Sequence, residues 1–212
     1  MGIRKITIDD LPKVKDYVVE LTWEDNFHKW FFTGRHEHPF AYRRWWTNYV
    51  RTHILRPNLY TYVYEEESTG KILGWVSLSP GEDNDDPVDL DLSKNSPREN
   101  SPNPSLDKAR LEYYSKVVQP GLNKTIFVGE DCRNWCIYEL FVDPALQPQD
   151  SKDILLNLLD NAKEQCRKDG VGFWTLSTSS DELEVMKGYG FEWRDKIEFG
   201  NISFHAMKYV GK

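Results

Sequence analysis

Between Trp135 and Leu176 the hydrophobic period of the chain changes twice, a pattern that fits neither an all-helical nor an all-β fold. Trp135 to Val142 is a strongly apolar run that reads as a strand, and Asp143-Pro144 ends it. Residues 151–168 then place Ile154, Leu155, Leu158, Leu159 and Ala162 at three-and-four spacing, with Asp169-Gly170 as the stop, so they predict an amphipathic helix. Residues 171–176 return to a strand and 181–188 to a short helix. A closing hairpin of 191–198 and 202–210 turns across Phe199-Gly200-Asn201.

The first half carries the same alternation of element types. Residues 3–8 alternate as a strand does, and Asp9-Asp10-Leu11-Pro12 opens a helix through Val14, Tyr17, Val18 and Leu21. Residues 23–38, dense in aromatic, histidine and charged side chains, read as a loop or broken helix, and 40–55 as a second helix. Residues 59–65 and 71–78 flank Glu66-Glu67-Ser68-Thr69-Gly70 as an antiparallel hairpin. From 80 to 104 the chain turns to Pro, Asp, Asn and Ser, the composition of a long surface insertion, which with the stretch to 131 has no assigned role; 106–117 reads as a short helix.

At 212 residues, with 39% hydrophobic and 14% aromatic residues, the expected unit is a single domain over 1–212 with enough apolar mass for a core. A net charge of -7 opposes binding to phosphate backbones and anionic membranes, so neither nucleic acid nor membrane is expected as a partner. Residues 1–11 have no apolar core of the signal-peptide kind, and the expected location is the cytoplasm. Cys132, Cys136 and Cys166 are too few and wrongly spaced for a disulfide framework or a four-ligand zinc site, and read as buried reduced thiols.

The order of elements, the phrase Glu139-Leu140-Phe141-Val142-Asp143-Pro144 with Gln147 beyond it, and Tyr189-Gly190-Phe191 together resemble the GNAT superfamily of acyltransferases over nearly the whole chain. The resemblance implies an α/β (α+β) fold with a central mixed, mostly antiparallel sheet of about seven strands and about four to five flanking helices. In such proteins the fourth strand splays from the fifth to admit the pantetheine arm of acetyl-CoA, and the pyrophosphate rests on the next helix start. There, unpaired N–H donors and the positive end of a dipole hold anions, and glycines allow close approach. Carried onto this sequence, the cofactor-binding residues are Phe141, Val142, Gln147, Ser151, Lys152 and Ser177; Ser177 equally suits the cap of the following helix.

Three positions, in two places, depart from the family's pattern. Gln147-Pro148-Gln149-Asp150-Ser151-Lys152 carries Asp150 and Lys152 where the Q/R-x-x-G-x-G/A loop has small residues. Like charges about 4 Å apart repel by roughly 1 kcal/mol in water and several times that near a protein surface. Met186 stands where the family's Tyr returns a proton to the departing thiolate, and Met has none to give. Tyr189, close in sequence, would point elsewhere on a helix.

Acyl transfer to an amine needs a base, and Glu139 and Tyr138 on the splayed strand are the catalytic candidates, expected on opposite faces. Glu24, Asp25, His28, Trp30 and Trp46 mix aromatic and titratable groups as a pocket for a small, partly apolar molecule would. Packing and surface charge explain the same residues. His36-Glu37-His38 lacks a third ligand, so no metal is expected. Three functions stay open: an acyl-CoA-dependent N-acyltransferase, acetyl-CoA being the donor, acting on a small-molecule amine; a repurposed scaffold without CoA doing acid–base cyclisation or isomerisation; and a non-catalytic ligand-binding protein. A homodimer is left open as the oligomeric state.

Overall fold

The protein was analysed as a computed structural model that describes residues 2–56, 58–79, 94–96, 99–126, 134–178 and 180–211. In chain order the first elements are β1 (Gly2–Lys5), α1 (Leu11–Trp23), α2 (Asn26–Phe31), α3 (Pro39–Leu55), β2 (Tyr60–Glu66), β3 (Lys71–Ser79), β4 (Lys94–Ser96) and β5 (Glu99–Pro102). There follow α4 (Lys108–Tyr113), α5 (Gln119–Ile126), β6 (Trp135–Val142), α6 (Pro148–Lys168), β7 (Phe173–Ser177), α7 (Ser180–Tyr189), β8 (Phe191–Phe199) and β9 (Ile202–Tyr209). The chain divides into two compact units: Met1–Ile6, Pro57–Asp85 and Pro120–Lys212 form unit 1, and Thr7–Arg56 with Asp86–Gln119 form unit 2.

Unit 1 is built on a seven-stranded sheet in the order β1-β2-β3-β6-β7-β9-β8. Every neighbouring pair is antiparallel except β6 and β7, whose connection through α6 is the helical crossover a parallel pair requires. The apolar stripe of α6, Ile154, Leu155, Leu158, Leu159 and Ala162, is buried against Val76, Leu78, Ile137, Phe173 and Met207 of the sheet. Gly74 makes this close approach feasible, because a Cβ there would sit 2.9 Å from both Ile154 Cγ2 and Leu158 Cδ1 and 3.3 Å from the Phe141 carbonyl oxygen. Burial pushes the thiols of Cys136 and Cys166 up to about 12, as the reading of inert core cysteines requires; Cys132 lies outside the described residues.

Unit 2 is helical and aromatic. The buried face of α1, Val14, Val18, Val19 and Thr22, belongs with Tyr42, Trp45, Trp46, Val50 and His53 of α3. Tyr42, fully buried, donates through its hydroxyl to Thr22 Oγ1 at 2.7 Å, and Thr22 donates on to the Val18 carbonyl at 2.7 Å. Removing a hydroxyl from water is tolerable only with such a partner. Asp107 caps α4 by accepting from the N–H groups of Ala109 and Arg110, both at 3.1 Å.

Several boundaries differ from the sequence expectation, each for a local reason. The strand expected over 3–8 stops at Lys5 because Asp10 accepts from both Thr7 N–H and Thr7 Oγ1 and draws Ile8–Asp10 into a 3-10 turn. The helix expected over 106–117 starts at Lys108 and continues through a π-helical stretch, Tyr114–Val118, into α5. Of the surface insertion expected over 80–104, residues 80–93 and 97–98 lie outside the described residues. In the rest β4 pairs with β5, and Asn103 is buried with its Oδ1 accepting from Ser105 N–H and Oγ, so the surface reading ends before it.

Candidate active site

The sheet of unit 1 opens at its one parallel pair. The β6–β7 register holds only where Trp135, Cys136 and Ile137 face Phe173, Trp174 and Thr175. Beyond it β6 runs on to Val142 against β3, and β7 runs on to Ser177 against β9. Among the described residues no strand lies on the β7 side of β6 past Ile137, so the two strands form a wedge with a main-chain edge on each wall.

A bulge sits where the wedge begins. Ser77 faces Glu139 and Leu78 faces Ile137, leaving Tyr138 as the extra residue. Trp135 and Ile137 lie in the core, and past the bulge Leu140 and Val142 pack against that same core, so the side-chain phase has moved by one. Glu139 and Phe141 are thereby placed on the other face, with Ser77 and Trp75. The expectation that Tyr138 and Glu139 face opposite ways assumes strict alternation, and the bulge removes that assumption. Tyr138 is 56% exposed, whereas Glu139 is partly buried.

The turn after β6 is held from within. Asp143, itself buried, takes Lys71 Nζ at 2.7 Å on Oδ2 and the Ala145 N–H at 2.9 Å on Oδ1, while its carbonyl accepts the Leu146 N–H at 3.2 Å. Burial raises the Asp143 carboxyl, but Lys71 and the Ala145 N–H outweigh it and hold the group below the usual aspartate value. Helix α6 begins at Pro148, three residues before the expected start at Ser151, because proline is suited to the first helical position. The first internal bond closes from Ser151 N–H to the Gln147 carbonyl at 3.0 Å. Proline has no N–H, so the first turn offers only the amides of Gln149 and Asp150, with the exposed Asp150 carboxylate in the same turn. Gln147 and Lys152 are exposed, and Ser151 is partly so.

The remaining unit 1 candidates are engaged in structure. Phe141 and Val142 line the strand past the bulge, opposite Trp75 and Gly74. Ser177 is buried and donates to Glu182 Oε2 in α7 at 2.7 Å, a side-chain bond and not a cap of the helix N–H groups. Met186 is a core residue at 1% exposure. Tyr189 donates its hydroxyl to Asp160 Oδ1 at 2.7 Å, and burial and that carboxylate push its ionisation far above the ordinary tyrosine range. It stays a structural donor to α6, as its helical placement implied.

In unit 2 the structure brings Asp25 and His28 together. Asp25 caps α2, accepting the His28 N–H at 2.9 Å, and the same oxygen lies 2.6 Å from His28 Nδ1. Burial raises the Asp25 carboxyl, yet the two bonds with His28 hold it below its ordinary value. The His28 ring packs against Phe27 at 5.2 Å and Trp46 at 5.1 Å between centroids. Trp46 itself is a core residue at 1% exposure. Trp30 lies beneath the Arg110 guanidinium, 5.5 Å from its ring centroid, and its carbonyl accepts from Arg110 Nη1 at 2.8 Å. Glu24 is exposed and pairs with Lys29 at 2.6 Å, which lowers its carboxyl. Lys71, Asp160 and Glu182 were missed in sequence; each has a side-chain bond to another element, which no local spacing encodes. The consequence of Pro148 was legible, since proline at a first helical position is a known start signal.

The fold is shared with solved structures, several of them described as acetyltransferases. The C-terminal condensation domain of Ebony in complex with beta-alanyl-dopamine matches with a TM-score of 0.66 at 10% identity, covering 99% of this chain and 98% of that one. A Corynebacterium glutamicum protein described as histone acetyltransferase HPA2 and related acetyltransferase matches with a TM-score of 0.61 at 13% identity over 98% of this chain and 94% of that one. Mosquito arylalkylamine N-acetyltransferase like 5b matches with a TM-score of 0.59 at 13% identity, covering 98% of each chain. No protein-family profile matches the sequence. No curated protein sequence matches it either. The fold is that of the GNAT N-acetyltransferases.

Acetyl-CoA, the donor the fold implies, meets a site that suits one end of it and not the other. The wedge has main-chain edges that suit an extended arm bearing amides. The start of α6 does not fit a pyrophosphate: Pro148 lacks a donor, the Ala145 and Leu146 amides are already bound by Asp143, and Asp150 adds negative charge. No helix among the described residues is long and apolar enough to cross a membrane.

Proposed function

We propose that the protein is an N-acyltransferase that moves an acyl group from a thioester to a small-molecule amine. The observation that carries this reading is the loss of β6–β7 pairing after Ile137 and Thr175. A strand wedge inside a sheet forfeits backbone hydrogen bonds, a cost that a bound amide-bearing chain offsets. In the reaction the amine nitrogen attacks the thioester carbonyl, a C–N bond forms and the C–S bond breaks. Glu139 accepts the ammonium proton, and the thiolate, being weakly basic, takes a proton from solvent. Met186 cannot supply that proton, and Tyr189 is bound to Asp160. An arylalkylamine is the acceptor class this reading takes. Two structural neighbours support that class: one is described as an arylalkylamine N-acetyltransferase and the other was solved with beta-alanyl-dopamine.

The test is thiol release from S-acetyl thioesters in the presence of tyramine, dopamine and phenylethylamine, with the amide product confirmed by mass. Thiol release that requires both protein and amine supports the reading; no release with any donor and amine contradicts it. A second reading, a scaffold that works without CoA, is favoured by Pro148 and Asp150 at the start of α6. Its signature is conversion of a metabolite with no thioester present.

A further inference from the structure

We infer that the acyl donor is a thioester of a pantetheine arm that lacks the nucleotide diphosphate, so that recognition rests on the wedge alone. The inference rests on the acyl-transfer reading and concerns which donor that reaction takes. The two ends of the segment from Trp135 to Ser151 behave differently. At one end the wedge is intact: β6 is paired to β3 throughout, β7 to β9, and the two part after three residue pairs. Two diverging main-chain edges can each bond to amides, and pantetheine carries two. At the other end a diphosphate meets few donors and a carboxylate. The Ala145 and Leu146 amides are taken by Asp143, Pro148 contributes none, and Asp150 stands in the first turn. Gln149 turns its side-chain amide toward Asp153 Oδ1 at 2.7 Å, and Lys71 is held by Asp143 at 2.7 Å. Lys152, one residue beyond that segment, is exposed on α6 and is the cation nearest the Asp150 carboxylate in sequence. A donor that ends at pantetheine, or continues through a single phosphate ester to a protein, avoids that turn; acetyl-CoA does not.

Calorimetry with S-acetyl-pantetheine and acetyl-CoA on the native chain tests this. The expected result is acetyl-pantetheine binding at least as tightly as acetyl-CoA, with salt strengthening only the latter, because screening relieves repulsion. In Asp150→Gly, with folding checked by circular dichroism, acetyl-CoA should tighten about tenfold and acetyl-pantetheine less than about twofold. Acetyl-CoA binding about tenfold tighter than acetyl-pantetheine to the native chain overturns the inference and leaves acyl transfer standing. Binding of neither overturns both. Turnover separates the sources: S-acetyl-pantetheine, or an acetylated phosphopantetheine arm on a purified carrier domain, outpacing acetyl-CoA supports the inference and identifies which is used. Acetyl-CoA outpacing both contradicts it.

Discussion

Unit 2 pairs several of the polar side chains buried among its rings, whereas unit 1 parts two strands of its own sheet. In unit 2 Tyr42 finds Thr22, His53 Nδ1 lies 3.0 Å from the Tyr49 carbonyl, and buried Arg35 donates to the carbonyls of Trp23 and Phe32. In unit 1 a mixed aliphatic and aromatic core packs on one face of β6, while past Ile137 that strand has a strand neighbour on one side only among the described residues. The contrast teaches where each kind of sensitivity belongs. Unit 2 should respond to protonation, since burying a titratable group ties stability to pH. Unit 1 should respond to shape, since its site is made by strand spacing.

The largest expected effect lies at the wedge. Glu139→Gln keeps the shape and removes the base, and should lower kcat for amide formation by about 10²–10⁴ with KM little changed, measured by thiol release. A pH–rate profile that keeps its acidic limb in this variant would assign the base elsewhere and weaken the contrast. Next comes unit 2's response to pH. Burial holds His53 neutral, its ionisation pulled down to about 4 from an ordinary 6.5. An unfolded chain therefore binds the proton first, so stability is whole above about pH 6.5 and is lost as pH falls toward 4, by roughly 3 kcal/mol. Denaturant melts between pH 7 and 4 should show the slope in the native chain and a shallower one in His53→Leu. Asp25 and Asp143, both lowered, add to the loss only further down, below the ordinary aspartate value.

A shape change in unit 1 should act without regard to pH. Gly74→Val places atoms against Ile154, Leu158 and the Phe141 carbonyl, and a loss of about 1–3 kcal/mol is expected at both pH 7 and pH 5. The smallest effect is Tyr42→Phe, which takes the donor from Thr22 and should cost about 1 kcal/mol in the same melts. Should Gly74→Val prove silent, the tight seat of α6 on β3 is less demanding than its distances say.

Much of this architecture can be read from periodicity. The strand Trp135–Val142 has the expected limits, and the hairpins around Gly70 and Gly200, both at positive φ, stand where turn chemistry puts them. What a period of two cannot show is a bulge, because an inserted residue such as Tyr138 leaves composition unchanged while moving every later side chain by one. The splay of β6 from β7 is likewise invisible in either strand alone. It came from the resemblance, and the register of three pairs gives it physical form. Of the candidate site, Asp150 and Met186 were legible as departures; the Lys71–Asp143 bond was not, since it joins residues that only the fold brings into contact, whereas the bonds of Asp143 to the Ala145 and Leu146 amides are local turn bonds.

Amide hydrogen exchange on the native chain, with and without S-acetyl-pantetheine, reads the wedge most directly. Slowed exchange between Tyr138 and Val142, with Gln149 and Asp150 unchanged, is the expected outcome. Exchange that slows at Gln149 and Asp150 instead, or nowhere along β6, would contradict a donor held by the parted strands.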